Sequence, residues 1–97
     1  MAVLEVLTFR LAADVDEDRF LIADRQAQTE FLYKQRGLLR RTTARGVGGE
    51  WLVVTVWGSA ADADASATIA PEDPTSSRLK AFLDPSSVTT RRYQTLD

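Results

Sequence analysis

A chain with no histidine and no cysteine must do any chemistry with carboxylates, tyrosines, arginines, tryptophans or its backbone. Thiolate nucleophiles, disulfides and thiolate metal sites are excluded, and the usual neutral-pH acid–base group is missing. No metal site or cofactor is expected. Two carboxylates stand out by their surroundings. Glu5 interrupts the apolar run 2–11, AVLEVLTFRL, where an unpaired carboxylate is seldom buried. Either it pairs with Arg91 or another arginine near the C-terminus, or it is a desolvated general base for a phenol or enol. Asp24 and Gln28 are one helical turn apart beside an apolar stripe where a plain core would take Leu or Ala. They are either ligand hydrogen-bonders or the wet edge of an amphipathic helix. Trp51 and Trp57 fill a core or form a substrate platform. Tyr33 and Tyr93 are further donors, with surface or core placement as the bland reading.

The elements that must position these groups are legible. Residues 2–11 read as a strand. Asp14 and Asp16 can cap a helix, with Glu17 three residues after Asp14. Phe20, Ala23, Ala27 and Phe31 recur at helical spacing, and Gly37 is placed to close a helix of about 20 residues. Two β-prone runs, 38–46 and 50–58, are joined by Val47-Gly48-Gly49, where Gly46, Gly48 and Gly49 are expected to supply the positive φ angles of a hairpin. Ser59 caps a second helix over 60–70 with Asp62 as its capping-box partner. Pro71 and Pro74 break it. A short helix over 76–83 follows, stopped by Pro85, and 87–96 is a fourth strand.

The order βαββαβ is the ferredoxin-like α+β pattern, a four-stranded antiparallel sheet with helices on one face. Right-handed crossovers give the spatial order 4-1-3-2, so the first and third strands are central. The 97 residues, 44% hydrophobic and 27% charged, make one domain over 1–97. The net charge of −2 speaks against nucleic acid, and no apolar run approaches the roughly 20 residues of a membrane span. Met1-Ala2-Val3-Leu4-Glu5 lacks the basic start of a signal peptide, so a cytoplasmic address is expected. The bias to Ala, Asp and Arg suggests a bacterial, GC-rich source. Arg40, Arg41, Arg45, Arg91 and Arg92 fall on the edge strands, where charge discourages strand addition. RNA-recognition modules share this topology, but their aromatic, Gly-containing signature is absent from the third strand.

Both central strands are apolar on both faces. Two helices cover only one face, leaving Leu4, Val6, Leu52, Val54 and Val56 as a contiguous patch that monomers rarely tolerate. A homodimer through the helix-free sheet face is the simplest cover; about 800 Å² per partner would be a standard interface.

Thr8-Phe9-Arg10-Leu11, Gly37-Leu38-Leu39-Arg40, Glu50-Trp51-Leu52-Val53-Val54 and above all Val56-Trp57-Gly58-Ser59 leading into Ala61-Asp62-Ala63 resemble the dimeric α/β-barrel superfamily, in its antibiotic-biosynthesis-monooxygenase-like branch. The resemblance spans nearly the whole chain. It implies a dimer and a pocket between sheet and helices, and relatives that include cofactor-free monooxygenases, haem-degrading enzymes and isomerases. Haem-degrading relatives use a histidine on the second helix and an asparagine on the first strand. Here there is no histidine and Leu7 stands at the asparagine position, which speaks against that scheme.

The resemblance also implies that Trp57 faces the helices, so Trp51, Thr55, Glu5, Leu7 and Phe9 share its side, opposite Phe20, Asp24, Ala27, Gln28 and Phe31. Glu5 and Asp24 are thus the candidate catalytic groups. Leu7, Phe9, Gln28, Phe31, Trp51, Thr55 and Trp57 are the candidate ligand-binding residues. Two functions fit: a cofactor-independent monooxygenase-like enzyme for an apolar or aromatic small molecule, or a non-catalytic ligand-binding or structural dimer module.

Overall fold

The computed structural model describes residues 1–96. Strand β1 (Val3–Arg10) is followed by helix α1 (Glu17–Glu30), then by the hairpin strands β2 (Leu38–Arg45) and β3 (Glu50–Trp57). Helices α2 (Ala60–Ile69) and α3 (Pro74–Lys80) precede the last strand, β4 (Thr89–Gln94). The antiparallel sheet runs β2-β3-β1-β4, the expected order read from the other edge. In register, Glu5 stands opposite Thr55 on β3 and Arg92 on β4. Thr55 in turn stands opposite Arg41 on β2.

Local details depart from the sequence reading where tertiary packing or a neighbouring group wins. Asp16, not Asp14, caps α1 by accepting from the Asp18 amide, while Asp14 turns the chain at φ 61°, which aspartate tolerates. The helix has 14 residues rather than about 20. The backbone leaves helical geometry at Phe31, which buries its ring, and a 3₁₀ turn over Leu32–Lys34 brings Leu32 against the same core. Gly37, at φ 83°, lies beyond that turn with Asp62 packed where a Cβ would be. Its carbonyl accepts from the Gly58 amide at 2.7 Å, tying the start of β2 to the end of β3. In the hairpin only Gly48 and Gly49 take positive φ, and Gly46 sits at −94°, extended backbone open to any residue. Pro74 begins α3 rather than only ending α2, because a first-turn proline loses no hydrogen bond and Asp73 caps the helix.

The helix-covered face holds the core. Phe9, Phe20 and Trp51 stack edge-to-face, with ring centroids 5.8 Å and 4.9 Å from Phe20. Val3, Trp57 and Ala63 form a second cluster toward α2. Among the described residues no helix covers the opposite face. Its rows read Arg40–Val56–Leu4–Tyr93, Thr42–Val54–Val6–Arg91 and Ala44–Leu52–Thr8–Thr89. In these rows Leu4, Val6, Leu52, Val54 and Val56 fill the inner strands beside Thr8, with Arg40 and Arg91 on the edges; Arg10 follows at the end of β1, opposite Glu50. Among the described residues no helix is long and apolar enough to cross a membrane.

Candidate ligand site

Glu5 projects from the middle of β1 toward the helices and is held on both oxygens. Trp57 Nε1 donates to Oε1 at 2.8 Å. Arg92 donates to Oε2 from Nε at 3.2 Å and from Nη2 at 2.9 Å. A third Arg92 bond reaches Asp64 on α2 at 2.8 Å. These contacts, Glu5 first, raise Arg92 above the usual arginine pKa. The sequence left Arg91 or another arginine as the partner, and the register decides: Arg92 is opposite Glu5, whereas Arg91 is opposite Val6 on the helix-free face. A carboxylate oxygen offers two lone pairs. Among the described residues Oε2 takes two donors, while Oε1 takes one and keeps a lone pair free.

Glu5, Thr55 and Trp57 line a hollow of about 190 Å³ under α2, together with Phe31, Leu32 and Ser66. An apolar cavity of about 300 Å³ adjoins it between β1 and α3, lined by Leu7, Ala27, Leu32, Leu79, Leu83 and Val88. Leu32 and Ser76 line both, so the two lie side by side, an apolar body next to a polar end, and are together called the cleft.

Asp24 and Gln28 lie elsewhere. They face β2 in a separate hollow of about 350 Å³ together with Arg41, Thr43 and Trp51. Arg41 Nη2 donates to Asp24 Oδ1 at 2.7 Å and Nη1 to Gln28 Oε1 at 3.0 Å. Thr43 donates to Asp24 Oδ2 at 2.8 Å. Arg41 is therefore not one of the solvent-facing edge charges expected from the sequence. Strand alternation turns it under α1, where its side chain is 4% exposed and that of Asp24 is 11% exposed. Arg45 also turns to the helix side, over the Trp51 ring at 5.1 Å and paired with Glu17.

Of the residues singled out from sequence, the structure gathers Glu5, Leu7, Phe31, Thr55 and Trp57 along the cleft. Asp24, Gln28 and Trp51 gather in the hollow by β2, and Phe9 lines none of these cavities, packed in the aromatic core. Tyr33 and Tyr93 are about half exposed. Sequence reasoning passed over Leu32, Leu79 and Leu83, whose elements depend on the path between strands, and Ser66. The one available signal for Ser66 was a serine one helical turn after Ala63 in an alanine-rich helix. Among the described residues no three Asp or Glu side chains converge as a metal site.

No family model and no curated protein matches the sequence. Solved structures do. SnoaB of Streptomyces nogalater, a cofactor-independent oxygenase, superposes with a TM-score of 0.81 at 15% identity, over 99% of this chain and 94% of that one. A candidate antibiotic biosynthesis monooxygenase of Bordetella bronchiseptica gives 0.78 at 14% identity, over 98% and 97%. Rv0793 of Mycobacterium tuberculosis gives 0.71 at 16% identity, over 100% and 97%. The β2-β3-β1-β4 sheet, helices on one face and near-complete mutual coverage lead to one structural assignment: the chain has the ferredoxin-like fold of the antibiotic-biosynthesis-monooxygenase-like proteins.

Proposed function

We propose that the cleft binds an apolar, aromatic small molecule and that the protein oxygenates it without a cofactor, with Glu5 as the base. The observation that carries this reading is the adjacency of the apolar cavity to the one that holds Glu5 and Trp57, with Leu32 and Ser76 lining both. The free lone pair on Oε1 gives Glu5 a place to receive a proton. Asp24, with both oxygens engaged in the hollow by β2, is assigned the part of an internal strut. The likeness in fold to SnoaB supports the reaction class.

A substrate with an activated methylene suits this site. Loss of a proton to Glu5 leaves a carbanion, which gives one electron to dioxygen. The two radicals join through a new C–O bond, and protonation by Glu5 yields a hydroperoxide. Loss of the remaining hydrogen of that carbon with cleavage of the O–O bond gives a carbonyl and water. One oxygen atom enters the product and dioxygen is the sole oxidant. The dry walls of Leu7, Leu32, Leu79 and Leu83 shield the carbanion from water.

The test is oxygen uptake with anthrone and simple phenols. Glu5→Gln should lower turnover about 10²–10⁴-fold, the usual contribution of a positioned base. Unchanged uptake in that variant removes Glu5 from the mechanism. A second reading, a ligand-binding dimer without turnover, is favoured by the ion pairing of Glu5 with Arg92 and of Asp24 with Arg41. It predicts that the same molecules bind and that none is consumed.

A further inference from the structure

We infer that Ser66 and Thr55 form a hydroxyl-recognition subsite beside Glu5, so that the ligand is a neutral aromatic alcohol entering the narrow end of the cleft oxygen first. The inference rests on the cleft being a ligand site and adds which chemical group must lie at its polar end.

Ser66 projects from α2 into the cavity that holds Glu5 and is 4% exposed. Its helical neighbour Thr68 donates back to the Asp64 carbonyl at 3.0 Å. Ser66 makes no such bond, and among the described residues its hydroxyl has no hydrogen-bond partner. Among the described residues no fully enclosed side-chain polar atom lacks a partner, so this hydroxyl opens into the cavity rather than into packed side chains. Packing does not account for the serine. Ala63, one turn earlier, meets the same sheet with a methyl group, and an alanine at 66 would fit as closely without stranding a polar group.

Thr55 supplies a second hydroxyl to the same space. It stands opposite Glu5 on the neighbouring central strand, which sets their Cβ atoms about 5 Å apart. The polar end of the cleft thus offers one carboxylate lone pair and two hydroxyls. A phenol that is the enol form of an activated methylene fits that set, donating to Glu5 Oε1 the proton whose loss gives the same anion and accepting from Ser66 and Thr55 through its oxygen. A hydrocarbon leaves all three unmatched. A carboxylate sets a second negative charge against Glu5.

Equilibrium dialysis of 1-naphthol, naphthalene and 1-naphthoate tests this with the wild-type protein, Ser66→Ala and Thr55→Val. The wild type is expected to hold naphthol most tightly and naphthoate least. Ser66→Ala should weaken naphthol about five- to tenfold, the size of one net hydrogen bond, and leave naphthalene unchanged. Alanine is the better helix former, so the melting midpoint should stay or rise and a loss of binding cannot be laid to unfolding. Thr55→Val should repeat the selective loss. Naphthol binding that neither variant alters, or equal losses for naphthol and naphthalene, would overturn the subsite while leaving the cleft in place. If the wild type retains none of the three probes, the cleft reading itself fails and the subsite with it.

Discussion

Trp57 reaches Glu5 across the two central strands on a diagonal, its indole N–H 2.8 Å from Oε1, while Thr55 occupies the position directly opposite. Glu5 is thereby held from both sides, by a buried ring on β3 and by an arginine on the edge strand β4 that is 37% exposed. The two holds differ in worth. Glu5→Gln keeps an acceptor for the indole and loses only a partly exposed ion pair, so it should cost less than about 1 kcal/mol. Trp57→Phe removes the donor and buried ring volume together and should cost about 1–3 kcal/mol. Urea titration of both variants checks the order. A Glu5→Gln variant less stable than Trp57→Phe would make Glu5 a structural keystone rather than a group kept for chemistry.

Asp24 and Arg41 are enclosed far more completely, which makes a different outcome expected. Asp24→Ala leaves a guanidinium under α1 without its carboxylate and should destabilise by about 3–5 kcal/mol. The double variant Asp24→Leu with Arg41→Met should recover most of that loss, because well-packed apolar residues often replace a buried pair at little cost. Thermal and urea unfolding measure the cycle. If the recovered double variant also keeps wild-type oxygen uptake, the pair is a strut; if it folds well and loses uptake, Asp24 belongs to the chemistry.

The sheet was legible because its evidence is periodic. The β-prone runs 2–11 and 50–58 give the central strands with two residue sets each, the resemblance says which set faces the helices through Trp57, and Gly48-Gly49 gives the hairpin. The cleft was legible only in part. Glu5, Leu7, Thr55 and Trp57 ride on central strands, so one register places them all. Asp24 and Gln28 went to a different hollow because one residue along α1, a rotation of about 100°, separates Ala27 beside α3 from Gln28 beside β2, and the apolar stripe does not resolve that. Arg41 was hidden by a rule about edge strands that ignores which way each residue points. Leu79 and Leu83 line the cleft through α3 and the turn after it, where Pro74 and Pro85 signalled breaks without telling where the chain went next.

Acid should loosen the apolar half of the cleft from its helix. Asp73 caps α3 through the Ser76 amide and takes a hydrogen bond from the Thr75 hydroxyl, which is the largest cause of its pKa falling below the ordinary value of 3.8. A lowered folded-state pKa means the contribution is whole above the ordinary value and is lost as pH falls through the lower one. Since α3 carries Ser76 and Leu79, naphthalene binding should decline over that acid window along with the far-ultraviolet helical signal. Asp73→Asn, which caps without titrating, should flatten both responses. An identical acid decline in Asp73→Asn would assign the loss to another carboxylate.

The uncovered sheet face should close on a second copy of the chain. Its centre is Leu4, Val6, Leu52, Val54 and Val56, a half-buried block on the two inner strands that no helix among the described residues covers. At about 25 cal/mol per Å² of apolar area, a standard interface of about 800 Å² per partner offers more than the cost of association. A two-fold axis through the block would set the two Val54 side chains close together and leave Arg40 and Arg91, on the edge strands, to reach water around the rim. The wild type should therefore sediment at about twice the 10.7 kDa chain mass. Val54→Lys enters the interface twice by symmetry and should raise the dimer dissociation constant by at least about a hundredfold, each buried unpaired charge costing several kcal/mol. Sedimentation of the wild type as a lone chain at micromolar concentration would exclude the dimer, and the apolar block would then need another explanation than self-association.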